Sequence, residues 1–299
     1  MTRTSCVIVA YYPDLLALKR ILSVVSDSNM AGVIVDNTDD AVIRRATKAL
    51  VDSLGLRYET RGENAGIAEA QNRGIRVAES LGYEYSLLLD QDSQVSPTLI
   101  EGLLVELITC RQFSTKVVAV GPNSYDHRDK LNLVPTTSRF GYSFRQDVPK
   151  EGRIPVPFLI ASGTLIHIAT WHKIGKFRTD YFIDHVDMEW GLRANLLGYQ
   201  LLAISNLPME HELANVHEMP DGTMIRTHGH SFRRYYQVRN YVLVQRDLRL
   251  PLGWRIGLSG KIIRAIASAI VRPAGRATST KYALYGLRDG ILNRRGKMT

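Results

Sequence analysis

Long apolar runs are missing from this sequence. No stretch reaches about 18 uninterrupted apolar residues, which argues against a membrane-spanning helix. The opening MTRTSCVIVA passes straight into a short apolar run that ends at Tyr11, Tyr12 and Pro13, without the pattern of a signal peptide. Cysteine is scarce: the 299 residues contain only Cys6 and Cys110. Two lone cysteines give neither a disulfide framework nor zinc-ligand spacing, and they suit a reducing compartment. Acids are scarce toward the C-terminus. From Arg226 onward 16 Lys and Arg stand against only Asp247 and Asp289, so the other 22 of the 38 basic residues face 27 of the 29 acids. A mildly acidic body therefore carries a strongly basic tail, and such a block seeks anions, either nucleic acid or an anionic membrane face.

Apolar residues make up 45% of the chain, enough for a sizeable core and against wholesale disorder. In the first half short apolar runs alternate with helical patterns. Cys6–Ala10, Val33–Val35, Leu56–Glu59, Ser86–Leu89 and Val117–Val120 have strand character. Between them, Asp14–Ser26 is apolar at Leu15, Leu18, Ile21, Leu22 and Val25, a helical period, and Ala41–Leu54 and Ala68–Leu81 are similar. Ser96 followed by Pro97 opens a further helix to about Cys110. This alternation predicts an α/β fold with a mostly parallel sheet. Residues 123–155 are polar and irregular and are expected to form a long loop region.

In open parallel sheets ligands bind at the carboxyl ends of strands. Three apolar runs end there in polar residues: at Tyr11-Tyr12-Pro13, at Asp36-Asn37, and at Asp90 and Asp92 in LLLDQDS. A D-x-D is often only a solvated turn. Placed after a buried strand and before a capped helix, its two carboxylates could hold Mg²⁺ or Mn²⁺ against substrate phosphates. NAGIAEAQNRG (64–74) is either a plain turn and helix start or an anion-binding helix N-terminus. FIDHVDMEWGLRA places Asp184, Asp187 and Glu189 at the entry of a helix. There they could simply favour the helix dipole, with Glu189 paired to Arg193, or supply a general base. His211 is either filler or a metal ligand. Arg234, Tyr235 and Arg239 could meet phosphates or serve a helix.

Taken in order, VIVAYYPD, VDN, NAGIAEAQNRG, LLLDQDS, SGTLI, FIDHVDMEWGLRA and the downstream His resemble glycosyltransferase family 2, inverting enzymes of the GT-A fold. IDHVDMEWGLRANLLGY followed by RRYYQVRNYVLV resembles the rhamnosyltransferase branch. The resemblance covers roughly residues 5 to 245. It implies a Rossmann-like, mostly parallel sheet flanked by helices, in a catalytic domain over 1–225, with a basic, mainly helical extension over 226–299. It also implies site roles. Tyr11, Pro13 and Asp36 fall where the family holds base and ribose, and Asn64, Gly66 and Asn72 in its second nucleotide segment. Asp90 lies near the sugar or ribose, and Asp92 and His211 match metal ligands for Mg²⁺ or Mn²⁺. Arg234 joins the donor side. Asp187 matches the catalytic base and Glu189 an acid that contacts the acceptor. Val186 stands where many members have an acid, which keeps Asp184 in view as the base.

The expected activity is inverting transfer of a sugar, with dTDP-rhamnose as donor and a lipid-linked saccharide of a bacterial cell-surface polysaccharide as acceptor. The expected place is the cytoplasmic face of the plasma membrane. GKIIRAIASAIVR (260–272) puts Ile262, Ile263, Ile266 and Ile270 on one helix face and Lys261, Arg264 and Arg272 on the other, suited to an anionic bilayer surface, to packing on the enzyme's own core, or to a homo-oligomer contact. The rival readings are a UDP- or GDP-sugar donor, a nucleotidyltransferase, and a nucleic-acid-binding protein. The second is weakened because VAYYPDLLALKR lacks a glycine-rich phosphate loop. The third is weakened because the tail lacks a recognisable nucleic-acid module.

Overall fold

The computed structural model describes residues 4–28, 30–126, 128, 131–145, 147–211, 215–218, 224–227, 231–271 and 276–298, with the backbone alone for 131, 215–218, 224–227 and 271. The chain opens with β1 (Thr4–Ala10), α1 (Leu15–Asp27), β2 (Ala31–Asp36), α2 (Ala41–Ser53), β3 (Arg57–Thr60), α3 (Ile67–Ser80), β4 (Tyr85–Asp90), α4 (Pro97–Phe113) and β5 (Val117–Asp126). Local chemistry explains the boundaries. Asp14 caps α1 by accepting from the amides of Leu16 and Ala17, and Asp40 caps α2 in the same way. Ser96 caps α4 with Pro97 at its first position.

The following segment differs from the expected loop. It forms β6 (Leu131–Asn132), a hairpin of β7 (Pro135–Ser138) and β8 (Gly141–Phe144), and β9 (Arg153–Val156). Short strands with distant or hairpin partners carry too few residues for their alternation to stand out. Then come β10 (Leu165–His167), α5 (Ile168–Ile174), a 3₁₀ turn at Thr179–Tyr181, α6 (Val186–Leu196), β11 (Gln200–Glu210), β12 (Asn215–Glu218) and β13 (Met224–Thr227). Three helices close the chain: α7 (Arg233–Asp247), α8 (Leu252–Val271) and α9 (Arg276–Ile291).

The main sheet runs β3-β2-β1-β4-β10-β5-β11-β9, with β6 beside β5. β1 is parallel to both β2 and β4, whereas β10 runs antiparallel to its neighbours. The chain starts at β1, moves outward to β3, and returns to lay β4 on the other side of β1. That reversal opens a crevice between the carboxyl ends of β1 and β4. Alternate strand residues bury on opposite faces. Ile8, Leu87 and Leu89 meet Leu18, Leu22 and Leu103 on one side, and Val7, Val9 and Leu88 meet Ile75 on the other.

The C-terminal helices pack on this body. Tyr235 and Tyr236 of α7 cluster with Phe182, and Arg295 pairs with both Asp247 and Asp180 at 2.6 and 2.8 Å. α8 divides its isoleucines otherwise than expected. Ile262 and Ile266 pack against Val238 and Ala283, whereas Ile263 is 69% and Ile270 42% exposed. Successive helix positions turn by about 100°, so 262 and 266 share one stripe and 263 and 270 another. Lys261 also leaves the solvent face and sits 4.0 Å over the Tyr142 ring. Arg272 lies outside the described residues.

Candidate functional site

The register of the central strands brings the predicted residues together. Ala10 lies opposite Asp36 and Val9 opposite Asp90. Tyr11 extends from β1, and its amide donates to Gln91 Oε1 at 2.7 Å, tying the ends of β1 and β4. Beyond Asp90 the chain turns. Ser93 Oγ accepts from the Asp90 amide at 2.9 Å and contacts Ser162 Oγ at 2.6 Å. This turn presents Asp90, Gln91 and Asp92 to a crevice of about 520 Å³, which also meets Tyr11, Asp187, His211 and Arg233.

Burial, and next the negative charge of Asp92, push the Asp90 carboxyl up to about 6, while Arg233 opposes the shift. Two carboxylates two positions apart, Asp92 exposed and Asp90 half-buried, offer oxygen donors of the kind a hard divalent cation takes. Among the described residues no three His, Cys, Asp or Glu side chains converge as a metal group. Asp92 and His211 both border the crevice, and together they could supply two ligands to an ion whose other ligands come from substrate phosphates and water.

The opposite wall is a strained turn. Phe182, Asp184 and His185 all have positive φ, between 61 and 65°. Three non-glycine residues in that region need outside support. Asn240 of α7 supplies it, donating from Nδ2 to the carbonyls of Tyr181, Ile183 and Asp184 at 3.1, 2.8 and 2.8 Å. The Ile67 amide donates to Phe182 O at 2.8 Å from the other side. Gly66 permits that approach. Its φ is +86°, and a Cβ there would lie 2.6 Å from Phe182 O.

The turn delivers Asp184 and Asp187 to different surroundings. Arg233 holds Asp184 in a two-point pair at 2.6 and 3.3 Å. Asp187 accepts from the amides of Ala161 and Met188, yet burial pushes its carboxyl up to about 6. It faces both the crevice and a second cavity of about 540 Å³ on the α8 side.

Other predicted residues have different placements. Asn72 is 1% exposed, and its side chain is engaged by the backbone of Phe177 at 2.8 and 3.0 Å, away from the crevice. Glu189 is fully buried against Arg193, at 2.8 and 2.9 Å, and faces neither cavity. The helical ion pair thus describes its geometry. Asp36 accepts from the Thr38 amide and from Tyr58 Oη at 2.9 Å each. Asn64 accepts from Asn37 and from the Gly66 amide, shaping the loop before α3. Pro13 follows β1 and leads into α1. Arg234 lines the second cavity, while its neighbour Arg233 lines the crevice. The sequence expectation put Arg234 on the donor side, but adjacent helix residues point about 100° apart, and it is Arg233 that borders the crevice. Tyr235 is buried on Asp289 at 2.9 Å, and Arg239 on the carbonyls of Tyr181 and Gly296 at 2.8 and 2.6 Å. These two serve the fold. Asn240 and Arg233 escaped the sequence reading. The only signal for them is their position within RRYYQVRN, at spacings that share no obvious chemistry.

This combination of sheet order, switch-point crevice and paired acids is that of a GT-A glycosyltransferase. Residues 5–167 match glycosyl transferase family 2. A dTDP-rhamnosyl transferase RfbF from Shigella flexneri is 31% identical over 249 residues, 82% of this chain and 81% of that protein. The chain belongs to glycosyltransferase family 2, and it is a rhamnosyltransferase-like member that uses a nucleotide sugar. Among solved structures, the mannosyltransferase PcManGT of Pyrobaculum calidifontis, in complex with GDP-Man and Mn²⁺, superposes with a TM-score of 0.59 at 13% identity, over 98% of this chain and 88% of that one. S. aureus TarS 1-349 in complex with UDP-GlcNAc gives 0.58 at 12% identity, over 97% and 82%. These two likenesses show the fold.

Proposed function

We propose that the chain is an inverting, divalent-metal-dependent rhamnosyltransferase that takes dTDP-rhamnose and extends a lipid-linked saccharide. The observation that carries this reading is the position of Asp187, which borders both the crevice of Asp90, Asp92 and His211 and the second cavity. Donor in one space and acceptor in the other would place the anomeric carbon between diphosphate and incoming hydroxyl. The similarity to the Shigella flexneri dTDP-rhamnosyl transferase supports the choice of donor.

In this reading Asp187 accepts the proton of the acceptor hydroxyl as that oxygen attacks. A carboxyl pushed up to about 6 stays ionised at neutral pH and is a stronger base than an ordinary aspartate. Asp184, neutralised by Arg233, is the weaker candidate and orients the turn instead. Asp92 and His211 would hold the cation, which offsets charge on the leaving diphosphate when bound. Tyr11 would border the donor and Arg233 face its phosphates, with Asp36 and Asn64 shaping the strand end and loop beside them.

No helix among the described residues is long and apolar enough to cross a membrane. Leu252, Ile256, Ile263 and Ile270 nevertheless form one exposed stripe along α8, flanked by Arg255 and Arg264. An apolar stripe between cations suits a peripheral contact with an anionic bilayer, where a lipid-linked acceptor resides. A panel of dTDP-, UDP- and GDP-sugars, followed for donor hydrolysis by phosphorus NMR, tests the donor. Preference for dTDP-rhamnose supports the reading, and preference for a UDP- or GDP-sugar replaces it with another family 2 activity.

A further inference from the structure

The second cavity has a composition that an ordinary saccharide would not require. Its floor is aromatic: Tyr142, Phe158 and Tyr241, with the Tyr142 and Tyr241 hydroxyls 2.9 Å apart and the Tyr142 ring edge-on to Phe158 at 4.8 Å. Its α8 wall is cationic, with Lys261 and Arg264 one turn apart and Ser268 one turn further. Neither Lys261 nor Arg264 is ion-paired with a carboxylate among the described residues. The acids facing the cavity are Asp184, taken by Arg233, and Asp187. Burial lowers the Lys261 pKa and the neighbouring Arg264 charge lowers it further, so an anion between the two would relieve both.

We propose that this cavity recognises a phosphate-bearing acceptor, with Lys261 and Arg264 binding the diphosphate that joins the acceptor saccharide to its lipid. The proposal rests on the reading of Asp187 as the base. The saccharide lies over the aromatic floor, where its C–H faces meet the rings, with its hydroxyl toward Asp187. The diphosphate reaches the cations by charge-assisted hydrogen bonds. The exposed apolar stripe of α8 lies about a third of a turn from Arg264 and nearly half a turn from Lys261, so Arg264 stands between the cavity and the apolar side of the helix.

The hairpin holds this arrangement in place. Gly253 and Gly257 bring α8 against the carbonyls of Arg139 and Phe140 at the β7–β8 turn. A Cβ on Gly257 would lie 1.9 Å from Phe140 O. That close approach fixes Lys261, one turn on, above the Tyr142 ring of β8.

The test titrates octyl diphosphate calorimetrically into the full chain saturated with dTDP and Mn²⁺, with octyl glucoside as the neutral control. Octyl diphosphate is expected to bind this dTDP-loaded protein, and octyl glucoside about tenfold or more weakly, the scale of losing hydrogen bonds to charged groups. Lys261→Gln with Arg264→Gln is expected to lose about tenfold or more of the octyl diphosphate affinity while keeping dTDP affinity. Arg264→Gln alone, at an exposed position, gives the same direction without risk to folding, and Lys261→Arg retains binding. Failure of octyl diphosphate to bind, equal binding to wild type and variants, or its complete displacement by dTDP overturns the proposal. Absence of dTDP binding would instead defeat the donor reading. Octyl diphosphate titrated into Asp92→Ala and into the α8 variants then tells which space it occupies: loss only in the α8 variants upholds the proposal, and loss only in Asp92→Ala overturns it.

Discussion

The side-chain amide of Asn240 donates to the backbone carbonyl of Asp184 at 2.8 Å, and to Ile183 and Tyr181 as well. A buried residue of the C-terminal segment thereby holds a stretch with three positive-φ residues, Phe182, Asp184 and His185, within four positions. Helix α7 thus supports the wall of the crevice. Replacing Asn240 by Ala leaves buried carbonyls unmatched, at a cost of about 1–3 kcal/mol. It also releases the turn that aims Asp187, and misplacement of about 1 Å can reduce turnover about 100-fold. The expected outcome is a lower melting temperature with a larger fall in kcat than in donor affinity. A fall in donor affinity alone would place Asn240 outside this role.

Asp187→Asn is expected to lower kcat by about 10²–10⁴, the range for removing a general base. The wild-type pH profile follows from the direction of the shift. The active form is the carboxylate, so log(kcat/KM) rises with unit slope at low pH and levels off above about 6. A profile still flat down to pH 4.5 would exclude Asp187 as the titrating base.

Glu189 separates the helical ion pair from an acceptor contact. Its carboxylate is buried, and Arg193 spans it and the carbonyls of Ile174 and Gly175. Glu189→Ala leaves that guanidinium without its countercharge, and loss of about 3 kcal/mol of stability is expected. At a temperature where the variant remains folded, its acceptor KM should match wild type. A raised KM in folded protein would restore the acceptor role.

Gly66→Ala probes the close approach of α3 to the turn. Its positive φ disfavours any side chain, and the added Cβ meets the Phe182 carbonyl and ring. A cost of about 2–3 kcal/mol is expected from backbone strain and crowding together, read as a fall in melting temperature. Unchanged stability would mean that the turn adapts freely.

Much of this was legible in the sequence where physical periods are strong. The first five strands and four helices follow from alternating apolar runs and from the Ser96-Pro97 start signal. Polar residues ending β1 and β4 do border the crevice, whereas Asp36 at the end of β2 is buried beside it. Legibility ended where tertiary partners decide. Whether Arg233 or Arg234 enters the crevice depends on helix rotation set by the packing of Tyr235 and Tyr236. Asn72 was expected in a nucleotide segment, yet its partner Phe177, 105 positions away, becomes visible only in three dimensions. The β7–β8 hairpin has four-residue strands, too short for a pattern. The α8 isoleucines form two stripes because α7 and α9 cover one side and leave the other open.

The central claim is that Asp90, Asp92 and His211 form a cation-assisted donor site. Calorimetric titration of dTDP-rhamnose, with and without Mn²⁺, into wild type and Asp92→Ala tests it most directly. The account predicts binding that requires the metal and weakens by about tenfold or more in the variant, at unchanged melting temperature. Metal-independent binding, equal in wild type and variant, would contradict it.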